Sequence, residues 1–265
     1  MRRFLRWISK PILSQSYSVA RRRIDLGNQL QGAPIYAIGD VHGCLPELKS
    51  LEAAIAKDMH LSGRKGLVVL LGDYVNRGPA SCQVIDYLIA PSEFGLTRLP
   101  LCGNHDDAFS RIIDAQFRGK TSFAMGADKT LLSYGLDMAY LQDLNKKDPD
   151  RTKDLLSDAI PLSHRDFLAR LPISVKIGDI LFVHAGIKPG VALEEQRDVD
   201  MLQIREPFLS RGPELESLLV IHGHTPNQIP IIGPNRIGVD TGAFFTGKLT
   251  AIKIDGMNSA YLSSR

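Results

Sequence analysis

Residues 34–43 read PIYAIGDVHG, residues 66–79 read GLVVLLGDYVNRGP and residues 97–106 read TRLPLCGNHD. Each is a short apolar run, of a length suited to a buried strand, that breaks at a glycine into a polar cluster. A helical pattern follows. After the first run Pro46 suits the opening turn of a helix, and Leu48, Leu51 and Ile55 recur at helical spacing. After the second come Val84, Ile85, Leu88 and Ile89. Three strand–loop–helix units in series predict a sheet that begins with parallel strands. Ligands of such sheets gather at the strands' carboxyl ends, where all three polar clusters fall.

Residues 107–171 read as mainly helical and loop-rich, without a comparable polar cluster. Strand patterns return near 173–177, 180–184, 217–222, 236–240 and 249–254, with loops reading HAG, HGHT and DTGAFFTGKLT. The expected fold is α/β, with two packed sheets flanked by helices and a site on one edge. The expected organisation is a basic arm over residues 1–30 and one domain over 31–265, with 107–171 as a mostly helical insertion. A 265-residue chain with 44% hydrophobic residues can bury a full core without disulfides. Its three cysteines have neither a pairing framework nor finger spacing, which suits a reducing, cytoplasmic compartment.

The net charge of +3 is unevenly spread. Residues 1–24 hold seven arginines and lysines and no acid, which leaves −4 for the remainder. An acidic body argues against nucleic acid as a partner. On a helical wheel Phe4, Leu5, Trp7, Ile8 and Ile12 oppose Arg2, Arg3, Arg6 and Lys10, a pattern that could rest weakly on an anionic membrane. Pro11 keeps any such helix short, and a helix docked on the body or a frayed terminus is the favoured explanation of the pattern. No apolar run is long enough to span a bilayer, and no signal-peptide pattern is present.

Metal-ligating side chains recur loop after loop. Asp40 and His42 follow the first strand, Asp73 the second, and Asn104 and His105 the third; His184 and His224 end later strands. Alone, each GD or GN pair is a turn signal, and one histidine at a strand end is polar punctuation. The set, repeated at successive carboxyl ends, points to a metal centre. Carboxylate, imidazole and amide donors together suit manganese first, with iron or zinc as alternatives, better than calcium or magnesium.

In order, GDVHG, GDYVNRG, GNHD, HAG and HGHT resemble the signature blocks of calcineurin-like metallophosphoesterases, and GDYVNRGP resembles their phosphoprotein phosphatase branch, including the bacterial Ser/Thr enzymes. The resemblance spans roughly residues 34–254. It implies a four-layered α/β/β/α sandwich and two divalent cations. Asp40 and His42 would bind the first, Asp73 would bridge, and Asn104, His184 and His224 would complete the second. It further implies a metal-bridging hydroxide as nucleophile, Arg77 as a phosphoryl clamp and His105 as general acid. A second arginine is expected between the later histidine blocks; Arg205 is the first choice, with Arg197 and Arg211 as rivals. His222 reads as a strand residue, Cys44 and Cys102 as small core residues, and Asp240 as shaping a turn.

One departure bears on chemistry. Protein phosphatases of this branch usually read GDYVDRG, whose second aspartate pairs with the motif histidine. Here the position is Asn76, which can hydrogen-bond His105 but cannot stabilise its protonated form by charge. GNHD in place of GNHE, and Cys102 in place of the usual preceding arginine, also depart from the pattern. A two-metal phosphoprotein phosphatase acting on phosphomonoesters, including small phosphorylated molecules, is the first reading, supported by HGHTP. A dinucleoside polyphosphate hydrolase is the alternative, because those relatives tolerate a non-aspartate at position 76. A non-catalytic scaffold recruiting partners through the arm is the reading from another class.

Overall fold

The computed structural model of the protein describes residues 20–30, 32–113 and 126–264. Two sheets form its centre. In one, β2 (Ile35–Ile38), β3 (Leu67–Leu70) and β4 (Thr97–Pro100) run parallel side by side. On the far side of β2 lie β10 (Thr250–Asp255) and then β11 (Asn258–Ser263), both antiparallel to their neighbours. The other sheet has the order β1 (Arg23–Asp25), β5 (Ser174–Ile177), β6 (Ile180–Val183), β7 (Leu219–His222), β9 (Arg236–Gly238) and β8 (Ile231–Gly233).

The unbroken apolar runs have a physical reason: both faces of these strands are covered. Ile35 and Ala37 of β2 and Leu67 and Val69 of β3 share one core with Val175, Phe182, Ile221 and Ile237 of the other sheet. Tyr36, Ile38, Val68 and Leu70 point the other way, into a core shared with Leu48, Leu51 and Ile55 of α1 (Leu45–Ser62) and Val84 and Ile85 of α2 (Ser81–Ile89). On the opposite flank Val220 packs with Met201 and Leu202 of α8 (Asp198–Gln203) and Phe208 of α9 (Phe208–Arg211). The layers are therefore α/β/β/α.

α3 (Asn104–Ile113) follows β4, so each of the three expected units is a strand, a loop and a helix. The described part of 107–171 is helical: α4 (Ala127–Ser133), α5 (Met138–Lys147), α6 (Pro149–Ala159) and α7 (Leu162–Arg170). A short α10 (Ala243–Thr246) interrupts the DTGAFFTGKLT segment.

At its body end, the stretch expected to be an arm joins the second sheet. Arg23–Asp25 is a strand paired in parallel with Ser174–Lys176. Arg23 also donates to the Leu193 carbonyl at 2.7 Å and pairs with Asp198, while Arg21 pairs with Asp107 at 3.0 Å and donates to the carbonyls of Leu168 and Leu171. Two charges counted toward a membrane-facing arm are thus engaged within the body. The amphipathic pattern over residues 1–19 lies outside the described residues. Among those described, no helix is long and apolar enough to cross a membrane.

A buried polar cluster ties the three units together. Glu52 of α1 is fully buried and receives two charge-assisted hydrogen bonds from Arg98 of β4, at 2.7 and 2.5 Å. Tyr87 of α2 donates its hydroxyl to Glu52 at 2.7 Å, offers its carbonyl to Arg98 at 2.9 Å and lays its ring 4.3 Å from the guanidinium. Removing one partner of such a pair leaves the other charge buried alone. Arg98→Ala should therefore cost about 3–5 kcal/mol in urea unfolding, and Glu52→Leu combined with Arg98→Met should recover most of it. A loss below about 1 kcal/mol for Arg98→Ala would show that the cluster does not hold the units together.

Candidate metal centre

Five loops bring the predicted side chains to one place. Asp40, His42, Asp73, Asn104, His105 and His184 are all buried, and His224 is half-buried. Asn104 Oδ1, His184 Nε2 and His224 Nδ1 lie 2.8, 2.9 and 3.2 Å apart. Asp73 Oδ2 stands 3.5 Å from His184 Nε2 and also 3.5 Å from His42 Nε2. One carboxylate oxygen therefore serves two ligand groups: Asp73 with His184 and His224, and Asp73 with His42 and His105. Asp40 sits beside them, its two oxygens each 3.1 Å from the His224 backbone N–H.

The rings are aimed by the backbone. His42 Nδ1 donates to the Val75 carbonyl at 2.8 Å and His184 Nδ1 to that of Leu71 at 2.9 Å, so each presents its Nε2 lone pair to the centre. Burial, reinforced by Arg77 and His224, pushes His42 down to about 4. Burial and then the nearby Arg205 bring His224 to about 4, and burial holds His184 well below its ordinary value. These three imidazoles are therefore neutral at physiological pH and available as ligands. Burial, and then the charges of Asp240 and Asp73, hold Asp40 well above the usual carboxylate range; burial, and then the charges of Asp106 and Asp240, do the same for Asp73. Lone pairs converge on lone pairs beside carboxylates that repel one another. Divalent cations fit this donor set.

The loops carry strain. Eight non-glycine residues among those described have positive φ, and His42, Asp73, Asn76, Arg77 and His224 are five of them. Left-handed backbone at such residues costs on the order of 1–3 kcal/mol each and persists only where surrounding contacts enforce it. Close backbone approach is part of the enforcement. A Cβ on Gly103 would stand 2.1 Å from Asp73 Oδ1, and one on Gly223 2.1 Å from Asp40 Oδ1.

Asp106 provides much of the rest, and the sequence reading assigned it no role. Its buried carboxylate accepts backbone N–H bonds from Asp73 at 2.8 Å, Tyr74 at 2.9 Å and Gly103 at 3.0 Å. Burial raises it to about 6 against these backbone contacts, which favour the ionised form. In return Asp73 Oδ1 accepts the His105 backbone N–H at 2.9 Å. An acid in the first turn of a helix that opens inside a motif was the available signal.

The remaining predicted residues also have definite places. Asn76 Nδ2 donates to His105 Nδ1 at 2.9 Å, while its Oδ1 accepts from the Thr130 hydroxyl at 2.8 Å, which fixes the orientation of the amide. His105 Nε2 is 3.9 Å from Asp73 Oδ2. Arg77 is exposed at the rim, close enough for its charge to act on His42, Asp73 and His224. Arg205 acts similarly on His224 and Asp240, whereas Arg197 pairs with Asp200 and Arg211 with Glu214 at the surface. His222 packs on Phe208 at the end of β7, and Cys44 and Cys102 are buried. Asp240 Oδ1 accepts the Gly242 N–H at 2.9 Å and so shapes the turn before α10.

Known proteins with this arrangement are recognisable by sequence. Residues 33–244 match the family model of the calcineurin-like phosphoesterases. The chain is 26% identical over 250 residues to a bis(5'-nucleosyl)-tetraphosphatase PrpE [asymmetrical] of Anoxybacillus flavithermus, covering 86% of this chain and 93% of that one. The same named enzyme of Oceanobacillus iheyensis is 26% identical over 249 residues, covering 86% and 91%. In fold, a crystal structure assigned to a diadenosine tetraphosphatase superposes with a TM-score of 0.59 at 22% identity, over 92% of this chain and 99% of the other. A serine/threonine phosphatase of Saccharomyces cerevisiae with similarity to human PP5 gives 0.52 at 13% identity, over 93% and 84%. With the family model spanning every loop that feeds the centre, the chain belongs to the calcineurin-like phosphoesterases, a family of metal-dependent hydrolases.

Proposed function

We propose that the protein cleaves phosphoanhydrides of nucleotides, dinucleoside polyphosphates first among them, using two divalent cations, manganese in preference to iron or zinc. Asp40 and His42 would hold one cation, Asn104, His184 and His224 the other, and Asp73 both. When bound, the pair supplies an acidified water as nucleophile and neutralises charge on the phosphoryl group. Arg77 and Arg205, at the rim, clamp phosphoryl oxygens with their fixed forks of donors. As the bond from phosphorus to the leaving oxygen breaks, that oxygen departs with the bonding pair as an anion, and neutral His105 steadies it with a hydrogen bond from Nε2–H without giving up the proton.

The observation that carries the choice of substrate is the locked amide of Asn76. With Nδ2 facing His105 Nδ1, the ring receives a hydrogen bond that suits its neutral form, and no charge favours the imidazolium. A weakly assisted acid suits a leaving group that departs readily. A phosphate chain departs readily and a serine alkoxide does not. The relatives named as tetraphosphatases support the same reading. Phosphoproteins, placed first from the sequence, remain the second reading because the HGHTP block resembles the protein phosphatases. A scaffold role is set aside, since the family is one of hydrolases and every ligand position carries a ligand.

Two experiments test this. Asp73→Asn should lose both cations in metal analysis, whereas His42→Asn should retain one. Its rate should fall by more than the roughly 10–100-fold typical of an outer ligand partner. Two cations and a near-normal rate in Asp73→Asn would refute the shared ligand. In the second, kcat/KM is compared on diadenosine tetraphosphate and a phosphoserine peptide. Wild type should favour the tetraphosphate, and Asn76→Asp should raise the peptide rate more, within the about 10²–10⁴-fold a general acid contributes. Equal changes on both substrates would mean that Asn76 does not set the preference.

A further inference from the structure

The DTGAFFTGKLT segment places two phenylalanines at the mouth of the metal centre, and neither is needed to hold a cation. Phe244 is half-buried, edge-on to the ligand His42 at 5.4 Å between ring centres, and the Arg77 guanidinium lies 4.9 Å from its ring centre. Phe245 meets Phe244 edge to face, again at 4.9 Å, and is 59% exposed. The two rings therefore lead outward from the phosphoryl clamp to solvent.

The outer ring is held in place. Gly242 has φ +64, and a Cβ there would stand 2.2 Å from Cε1 and Cζ of Phe245, so the ring lies directly on the glycine. Asp240 anchors the Gly242 N–H, and the Thr246 hydroxyl bonds the carbonyls of Thr241 and Gly242 at 2.8 and 3.0 Å. A large apolar ring kept exposed on a tied turn, beside an arginine positioned for phosphate, has the chemistry of a stacking platform. A polar or aliphatic leaving group gains little from it. A planar heterocycle one sugar away from the bound phosphate gains most.

We propose that Phe245, backed by Phe244, is the subsite for the nucleobase of the substrate. The idea rests on the nucleotide reading above, yet it can be tested apart from that reading. The probes are AMP and inorganic phosphate, used as competitive inhibitors of whichever substrate the holoenzyme turns over. AMP carries the base one ribose from the phosphate; inorganic phosphate has no base.

In wild type AMP should inhibit at lower concentration than phosphate. Base–aromatic stacking predicts that Phe245→Ala narrows the gap by about 5–100-fold. Phe245→Trp, which keeps a stacking face, should preserve it, and this variant also guards against a turn that fails to form without its ring. Equal inhibition by AMP and phosphate in wild type would overturn the platform, as would an unchanged gap in Phe245→Ala. If diadenosine tetraphosphate is not cleaved but AMP still outcompetes phosphate through Phe245, the substrate reading fails and the platform stands.

Discussion

Four carboxylates, those of Asp40, Asp73, Asp106 and Asp240, are buried in one cluster; burial raises each above its ordinary range, and repulsion from neighbouring carboxylates adds to it at Asp40 and Asp73. No apolar packing could tolerate this, since an unpaired buried charge is among the costliest groups a fold can hold. The rest of the architecture is arranged around it. Backbone N–H groups of Asp73, Tyr74 and Gly103 are given to Asp106, and that of His224 to Asp40. The remaining lone pairs are left for cations. The three parallel strands matter because their carboxyl ends release these loops side by side.

The same requirement accounts for the strain. To turn its carboxylate inward while its N–H reaches Asp106, Asp73 adopts φ +54, and His42 and His224 make comparable turns at +46 and +63. Glycines at 103 and 223 leave room for those carboxylates, so strain and space are paired at each loop. Little freedom remains at the candidate ligands themselves. On the proposed function, discrimination between substrates falls to parts that the ligands do not fix: the amide of Asn76, the two rim arginines and the rings of the DTGAFF turn.

Much of this was legible from sequence because metal ligands are restricted to a few residue types and here recur directly after apolar runs. The five main loops and the three strand–helix units follow from that pattern alone. Asp106 was only faintly legible: its place in the first turn of a helix marks it, but its partners are backbone groups that carry no side-chain signature. Thr130 was hidden for a different reason: it fixes the Asn76 amide from 54 positions away, within a helix that shows no polar motif. Strand β1 has three residues, two of them charged, so its place at the sheet edge comes from ladder bonds and the pairing of Arg23 rather than from apolar alternation. β11 is largely exposed and depends on the hairpin turn at Gly256, a weaker signal than a buried run.

The Glu52–Arg98–Tyr87 cluster has a dynamic consequence. Because α1, α2 and β4 each contribute one member, no unit can separate from the others without stranding a buried charge. Partial openings confined to a single strand–helix unit are therefore suppressed, and the three behave as one cooperative block. Their amides should exchange with solvent through the opening of the whole block, while the exposed β11 can fluctuate on its own. The candidate ligand loops leave directly from the strands of this block, so any opening that disturbs them must disturb all three units together.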